Sequence, residues 1–135
     1  MRNFLNPPSL PAWPGFCTQV VAVEGGAQTL VFVSGQVGVD AAKQLTGDGS
    51  FSAQVRQAFL NLNAALTAAG ASMHDVTKLT IYVVNYSPSH AEPIGQATRQ
   101  HFAEKPPACT LLGVQALADP RFLIEVEAYA VLGGK

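Results

Sequence analysis

Residues 123–131 read LIEVEAYAV, a run in which polar and apolar side chains alternate. Alternation with a period of two is typical of a β-strand. The pattern therefore predicts that Glu125, Glu127 and Tyr129 project from one face, while the other face is aliphatic. We interpret Glu127 as part of a solvated outer surface, since a buried carboxylate without a partner is costly. For Glu125 the residues alone leave a pocket and the surface equally open.

Further strands are expected on the N-terminal side of this one. Gly25-Gly26 separates two runs of β-forming residues and predicts a hairpin, and Asp119-Pro120 predicts a turn between the last two strands. The predicted strands cover residues 18–24, 29–37, 77–85, 109–117 and 122–131.

Two helices are predicted between the strands. The first begins near Ser50 or Ser52, either of which can cap it, and ends at Gly70. The second runs from about residue 90 to residue 104. The order β-β-α-β-α-β-β predicts an α+β fold with crossover connections. The apolar face of the first helix comprises Val55, Phe59, Leu62, Leu66 and Ala69.

The composition indicates one domain that associates with copies of itself. The chain has 135 residues, of which 48% are hydrophobic and 13% charged, and its mean hydropathy is +0.20. A globule of this size cannot bury so much apolar material alone, so part of it is expected in a subunit interface. We expect residues 1–135 to form a single domain in which residues 1–15 are a proline-rich, extended segment.

Several classes of function receive no support from the residues. The eight basic residues are scattered and the net charge is −1, which argues against a nucleic-acid partner. No run approaches the ~20 apolar residues of a membrane span, and no signal peptide is recognisable. Cys17 and Cys109 are far apart and require no disulfide. We therefore expect a cytoplasmic protein without a membrane partner.

Few residues have patterns that suggest chemistry. The three histidines lack ligand spacing, and no glycine-rich loop precedes a helix, so neither a metal nor a cofactor is predicted. Ser34-Gly35 ends an apolar strand, where a glycine would let a ligand approach the backbone, although a simple β-bulge is the preferred interpretation. Cys109 is interpreted as a small buried hydrophobe rather than a nucleophile.

Several blocks together resemble the RidA (YjgF) family of reactive-intermediate deaminases, over about residues 15–131. The resemblance implies a chorismate mutase-like fold, with two helices on one face of a sheet. It also implies a homotrimer with small-molecule pockets between subunits. The blocks are FVSGQV at 32–37, LTAAG at 66–70, DVTK at 75–78, IYV at 81–83, PA at 107–108 and IEVEA at 124–128.

The resemblance also implies a reaction and its residues. Members of the family hydrolyse enamines and imines to keto acids and ammonia, and an arginine after Pro-Ala holds the substrate carboxylate. Here that position is Cys109, followed by Thr110, and Phe16 stands where many members have tyrosine. Glu125 matches the glutamate that positions the hydrolytic water. Ser34 and Gly35 would form the pocket wall.

We therefore expect a divergent enamine or imine deaminase that acts on a less acidic small metabolite. A non-catalytic metabolite-binding or regulatory trimer is the alternative, because the arginine is missing. Endoribonuclease activity, an older label of some relatives, is disfavoured by the scattered basic residues.

Overall fold

The computed structural model describes residues 1–133, so Gly134 and Lys135 of the predicted domain lie outside the described residues. Within residues 1–133 it contains six strands and two helices. These are β1 (Arg2–Leu5), β2 (Val20–Gly25), β3 (Gln28–Val37), α1 (Phe51–Ala68), β4 (Val76–Val84), α2 (Ala91–Phe102), β5 (Ala108–Val114) and β6 (Ile124–Gly133).

The strands form one mixed sheet in the order β1-β2-β3-β6-β4-β5. The central strand, β6, is antiparallel to both β3 and β4, whereas β4 and β5 are parallel. Parallel neighbours need a crossover, and α2 supplies it between β4 and β5. The predicted α+β fold and the β2–β3 hairpin are confirmed.

The N-terminal strand β1 is absent from the predicted order. It pairs with β2 in antiparallel register, and the Met1 amino group donates a hydrogen bond to the Glu24 carbonyl oxygen at 3.0 Å. Four residues that read RNFL are too few to show a periodic pattern, and the prolines begin only at Pro7. The prediction therefore treated this segment as part of the proline-rich region.

Both helices cover the same face of the sheet. The Ser50 hydroxyl accepts a hydrogen bond from the Ala53 amide at 3.2 Å, which identifies Ser50 as the cap of α1. The predicted face of α1 is buried against the strands, with Phe102 of α2 in the same core. A 3-10 turn at Pro88–His90 precedes α2, so α2 begins slightly later than predicted. It ends at Phe102, two residues before the predicted end, and Ala103 has a positive φ of 51°. No helix within residues 1–133 is both long and apolar enough to cross a bilayer.

In the described part of the chain, no helix lies over the opposite face of the sheet. Phe32 of β3 and Tyr129 of β6 pair across the strands there, with ring centroids 5.3 Å apart and an edge-to-face arrangement. Both side chains remain substantially exposed, as do Leu30 and Leu112. We call this surface, defined by Leu30, Phe32, Leu112 and Tyr129, the outer face.

Candidate functional site

A β-bulge interrupts β3 at Ser34-Gly35. Val33 pairs with Ala128 and Gln36 with Val126, so two residues of β3 lie opposite the single residue between those partners on β6. A bulge turns the strand locally and re-aims the neighbouring side chains. The predicted β-bulge at this glycine is confirmed.

Gly35 also makes room for Glu125. A β-carbon built at position 35 would lie 1.7 Å from Glu125 Oε1, so no other residue fits there while the carboxylate keeps its place. The group that approaches the backbone at this glycine is therefore a carboxylate of the same chain.

Polar groups around the bulge hold it in shape. The Ser34 hydroxyl donates to the Thr18 carbonyl oxygen at 2.5 Å. The buried Gln36 amide donates to Gln19 Oε1 at 2.6 Å and to the Ser34 carbonyl oxygen at 3.0 Å. The hydroxyl proton of Ser34 is thus engaged within the chain, and only the oxygen lone pairs are left for a ligand.

Glu125 lies in a cavity of about 370 Å³ beside the bulge. The cavity opens on the side of the sheet that the helices leave uncovered. Its lining combines two carboxylates and a phenol with small and aliphatic groups. The lining residues are Gly35, Tyr82, Val114, Ala116, Leu117, Glu125 and Glu127.

Glu127 lies on the helix-free side of the sheet, as predicted, but the prediction of a solvated side chain without a partner is wrong. Its side chain is half-buried in the same cavity, where Glu127 Oε1 accepts a hydrogen bond from the Tyr82 hydroxyl. This hydrogen bond, together with burial, raises the pKa of Tyr82 to about 12. The phenol therefore stays protonated and acts as a donor at neutral pH.

The surroundings of Glu125 make its carboxylate a better proton acceptor. Burial, and secondarily the negative charge of Glu127, raises the pKa of Glu125 above its ordinary value. Both effects disfavour the charged carboxylate. A carboxylate with a raised pKa accepts a proton from water more readily than an exposed one does.

The remaining predicted residues lie away from this cavity within one chain. Cys109 is on the edge strand β5, and its exposed side chain contradicts the interpretation as a buried hydrophobe. The physical reason is that β5 has a neighbour on one side only. Desolvation by neighbouring atoms still raises the pKa of the Cys109 thiol, against the opposing effect of the Lys78 charge. The Thr110 hydroxyl accepts from Lys78 Nζ at 2.5 Å, and Phe16 is 91% exposed.

Tyr82 is a cavity residue that the sequence analysis missed. It was included only in the block IYV at 81–83 and was given no role. Strand alternation alone could not have found this contact, because it depends on β4 and β6 being neighbours in the sheet.

A second cavity, of about 180 Å³, lies between the two helices. Arg56, Leu60 and His101 are among its lining residues, and none of the predicted site residues is. In the part of the chain that the structure describes, no three His, Cys, Asp or Glu side chains are grouped so as to hold a metal ion.

Comparison with known proteins gives consistent matches along the chain. The sequence profile of the Endoribonuclease L-PSP family matches residues 16–132. The chain is 28% identical over 131 residues to the 2-iminobutanoate/2-iminopropanoate deaminase of Dermatophagoides farinae, covering 97% of each protein.

Solved structures agree with the sequence matches. RidA from the Antarctic bacterium Psychrobacter sp. superposes with a TM-score of 0.81 at 28% identity, over 96% of this chain and 99% of that one. TdcF of E. coli with bound serine superposes with a TM-score of 0.80 at 26% identity, over 97% and 99%.

Proposed function

Because the chain belongs to the Endoribonuclease L-PSP (RidA) family, we propose that it hydrolyses a small enamine or imine whose acid group is weaker or absent. The observation that carries this proposal is Glu125, a half-buried carboxylate with a raised pKa that is lodged over Gly35 on a cavity wall. We regard residues 1–135 as one domain of this family, with residues 1–15 as its extended leading segment.

Glu125 would act as general base toward water. Its carboxylate accepts a proton while the water oxygen attacks the imine carbon, and the C=N electron pair moves to nitrogen. Glu125 returns this proton to the nitrogen, the remaining hydroxyl proton follows as the C–N bond breaks, and ammonia and a carbonyl product are released. The apolar part of the cavity wall, Val114, Ala116 and Leu117, suits a small substrate body.

The class of substrate is inferred from Cys109, which occupies the position of the family's carboxylate-binding arginine. A substrate carboxylate that meets Cys109 instead of arginine loses a charge-assisted contact worth about 1.5–3 kcal/mol. That loss corresponds to roughly ten- to a hundredfold weaker binding. The raised pKa of the thiol favours its neutral form, which cannot supply the missing positive charge.

The relatives support the reaction class and the size of the ligand. One relative is named a deaminase of 2-iminobutanoate and 2-iminopropanoate, and E. coli TdcF holds serine. All three molecules are small, which agrees with a cavity of about 370 Å³.

We further propose a cytoplasmic homotrimer whose pockets are completed between subunits. The exposed aromatic and aliphatic side chains of the outer face support an interface there. The positions of Phe16, Cys109 and Thr110 outside the cavity of a single chain agree with a site that needs a neighbouring copy. The proposal of three subunits rests on the resemblance to the RidA family.

The decisive experiment changes Cys109. The natural protein is expected to release ammonia poorly from 2-iminopropanoate, and Cys109→Arg should increase the rate about ten- to a hundredfold by restoring the carboxylate contact. Cys109→Gln, which adds length without charge, should not. Rapid 2-iminopropanoate hydrolysis by the unmodified protein would refute our interpretation of Cys109.

A non-catalytic metabolite-binding or regulatory trimer is the second candidate, favoured by the missing arginine. It predicts that calorimetry detects small-molecule binding while ammonia release stays at background, for Cys109→Arg as well. Endoribonuclease activity is less well supported, because the basic residues are scattered. Weak or absent RNA binding at low salt is expected.

A further inference from the structure

Tyr82 and Glu127 form a pair that the proposed reaction does not yet use. In the register of the sheet Tyr82 lies opposite Glu125, and Thr80 lies opposite Glu127. The Tyr82 hydroxyl nevertheless hydrogen-bonds to Glu127, its diagonal neighbour, and not to the carboxylate directly across. The phenol therefore holds the second carboxylate, and within residues 1–133 no side chain donates a hydrogen bond to Glu125.

We propose that Tyr82 and Glu127 are positioning residues for Glu125: the Tyr82 hydroxyl holds the Glu127 carboxylate on the cavity wall, where its negative charge acts on Glu125. This inference rests on the proposed function for its purpose, since a base toward water is what Glu125 would supply. The effect of Tyr82 and Glu127 on the protonation of Glu125 can nevertheless be measured without a substrate.

The surroundings leave Glu127 as the charge that acts most strongly on Glu125. On β6 the titratable groups of this face are Glu127 and Tyr129, and on β4 they are Tyr82 and Lys78. Lys78 bonds to Thr110. The bulge on β3 and the segment after β5 contribute uncharged groups to the cavity.

The Tyr82–Glu127 pair should favour the protonated form of Glu125. A like charge nearby disfavours the ionised carboxylate, so Glu127 adds to the effect of burial. A glutamate side chain has several rotamers, and without the phenol it can turn toward solvent, where water screens its charge. Loss of the Tyr82 hydroxyl should therefore resemble, in part, the loss of the Glu127 charge.

The test is a titration of the Glu125 carboxyl carbon by NMR in protein labelled with 13C-glutamate. Glu127→Gln preserves shape and a hydrogen-bond acceptor, and it should shift the Glu125 midpoint downward. Tyr82→Phe should shift the midpoint in the same direction by a smaller amount. In the double variant the midpoint should equal that of Glu127→Gln alone, because Tyr82 acts through Glu127.

Glu104→Gln, at an exposed position after α2, is the matched control and should leave the midpoint unchanged. An unchanged midpoint in Glu127→Gln would overturn the proposal. So would a separate, additive effect of Tyr82→Phe in the double variant. A merely structural tyrosine would lower the stability of Tyr82→Phe without moving the midpoint.

The titration also separates this inference from the proposed function. If the midpoint responds to Glu127→Gln but no imine is hydrolysed, the positioning pair stands and the function fails. If hydrolysis proceeds while the midpoint stays fixed in both variants, the function stands and the pair has no role in it.

Discussion

Gly35, in the bulge of β3, leaves space for the Glu125 carboxylate in the cavity. A methyl group at this position would displace the Glu125 carboxylate, whose Oε1 it would approach to 1.7 Å. We expect Gly35→Ala to lower imine turnover by about a hundredfold, since small displacements of a reacting group carry penalties of that size. Ammonia release measures the effect.

Gly25→Ala is the control for this substitution, because a β-carbon there meets no atom within 4 Å. It should retain turnover. Full activity of Gly35→Ala would mean that Glu125 does not act from the position seen here.

Glu125 should make stability depend on pH in a particular direction. Its pKa is raised in the folded state, so the folded chain binds the proton more tightly than the unfolded chain does. Stability from this group is therefore present below the unfolded value of about 4.3 and is lost as the pH rises through the folded pKa.

Glu125→Gln removes this dependence. We expect the variant to gain stability relative to the natural protein as the pH rises from about 4 to 7, with little difference at the acidic end. Urea unfolding at a series of pH values checks this. A gain that does not depend on pH would show that ionisation of Glu125 is not its cause.

The sequence predicts these residues only in part. Strand alternation puts Glu125 and Glu127 on one face, but it cannot show that a bulge on a neighbouring strand opens a cavity there. The diagonal contact of Tyr82 depends on the register between β4 and β6, which the pattern of a single strand does not contain. Cys109 is exposed because β5 is an edge strand, and strand order is likewise not local information.

Helix α1 is joined to the start of β6 by one buried side chain. Gln54 donates to the carbonyl oxygens of Gly49 at 3.1 Å and Arg121 at 3.0 Å, and it accepts from the Leu123 amide at 2.9 Å. Gln54→Leu leaves these backbone groups without a partner. We expect the free energy of unfolding to fall by about 2–4 kcal/mol.

Denaturant unfolding at a fixed protein concentration measures this loss. Gln100→Leu makes the same change at an exposed position of α2, and it should alter stability by no more than about 0.5 kcal/mol. Equal effects of the two substitutions would show that the contacts of Gln54 contribute nothing specific.

The elements with long periodic patterns were predicted well. Helix α1 and strands β4 and β6 have many apolar residues at regular spacing, and the structure confirms all three. Strand β1 was missed because four residues carry no period. Its place is fixed by hydrogen bonds to β2, which are a tertiary interaction.

Association of the whole molecule should depend on the outer face. Phe32 and Tyr129 form an exposed aromatic pair there, and a charge buried between subunits without a partner is strongly unfavourable. We expect light scattering to give about three times 14.2 kDa for the natural protein. Phe32→Glu should reduce this mass toward that of a monomer.

Leu60→Glu provides the matched control. Leu60 is 54% exposed on α1, on the helix side of the sheet, and its replacement should leave the mass unchanged. A natural protein that is monomeric at micromolar concentration would remove both the proposed interface and the pocket between subunits.

The central position of β6 has a consequence for how the chain reaches its native state. Its partners β3 and β4 are made long before it, yet neither can complete its hydrogen bonding until β6 inserts between them. Contacts between residues so distant in sequence slow folding, because the entropy of loop closure is lost before the contacts contribute favourable free energy. Until β6 has been synthesised, the edges of β3 and β4 that will pair with it remain unpaired. These apolar edges can pair with other chains, so we expect the nascent chain to be prone to aggregation.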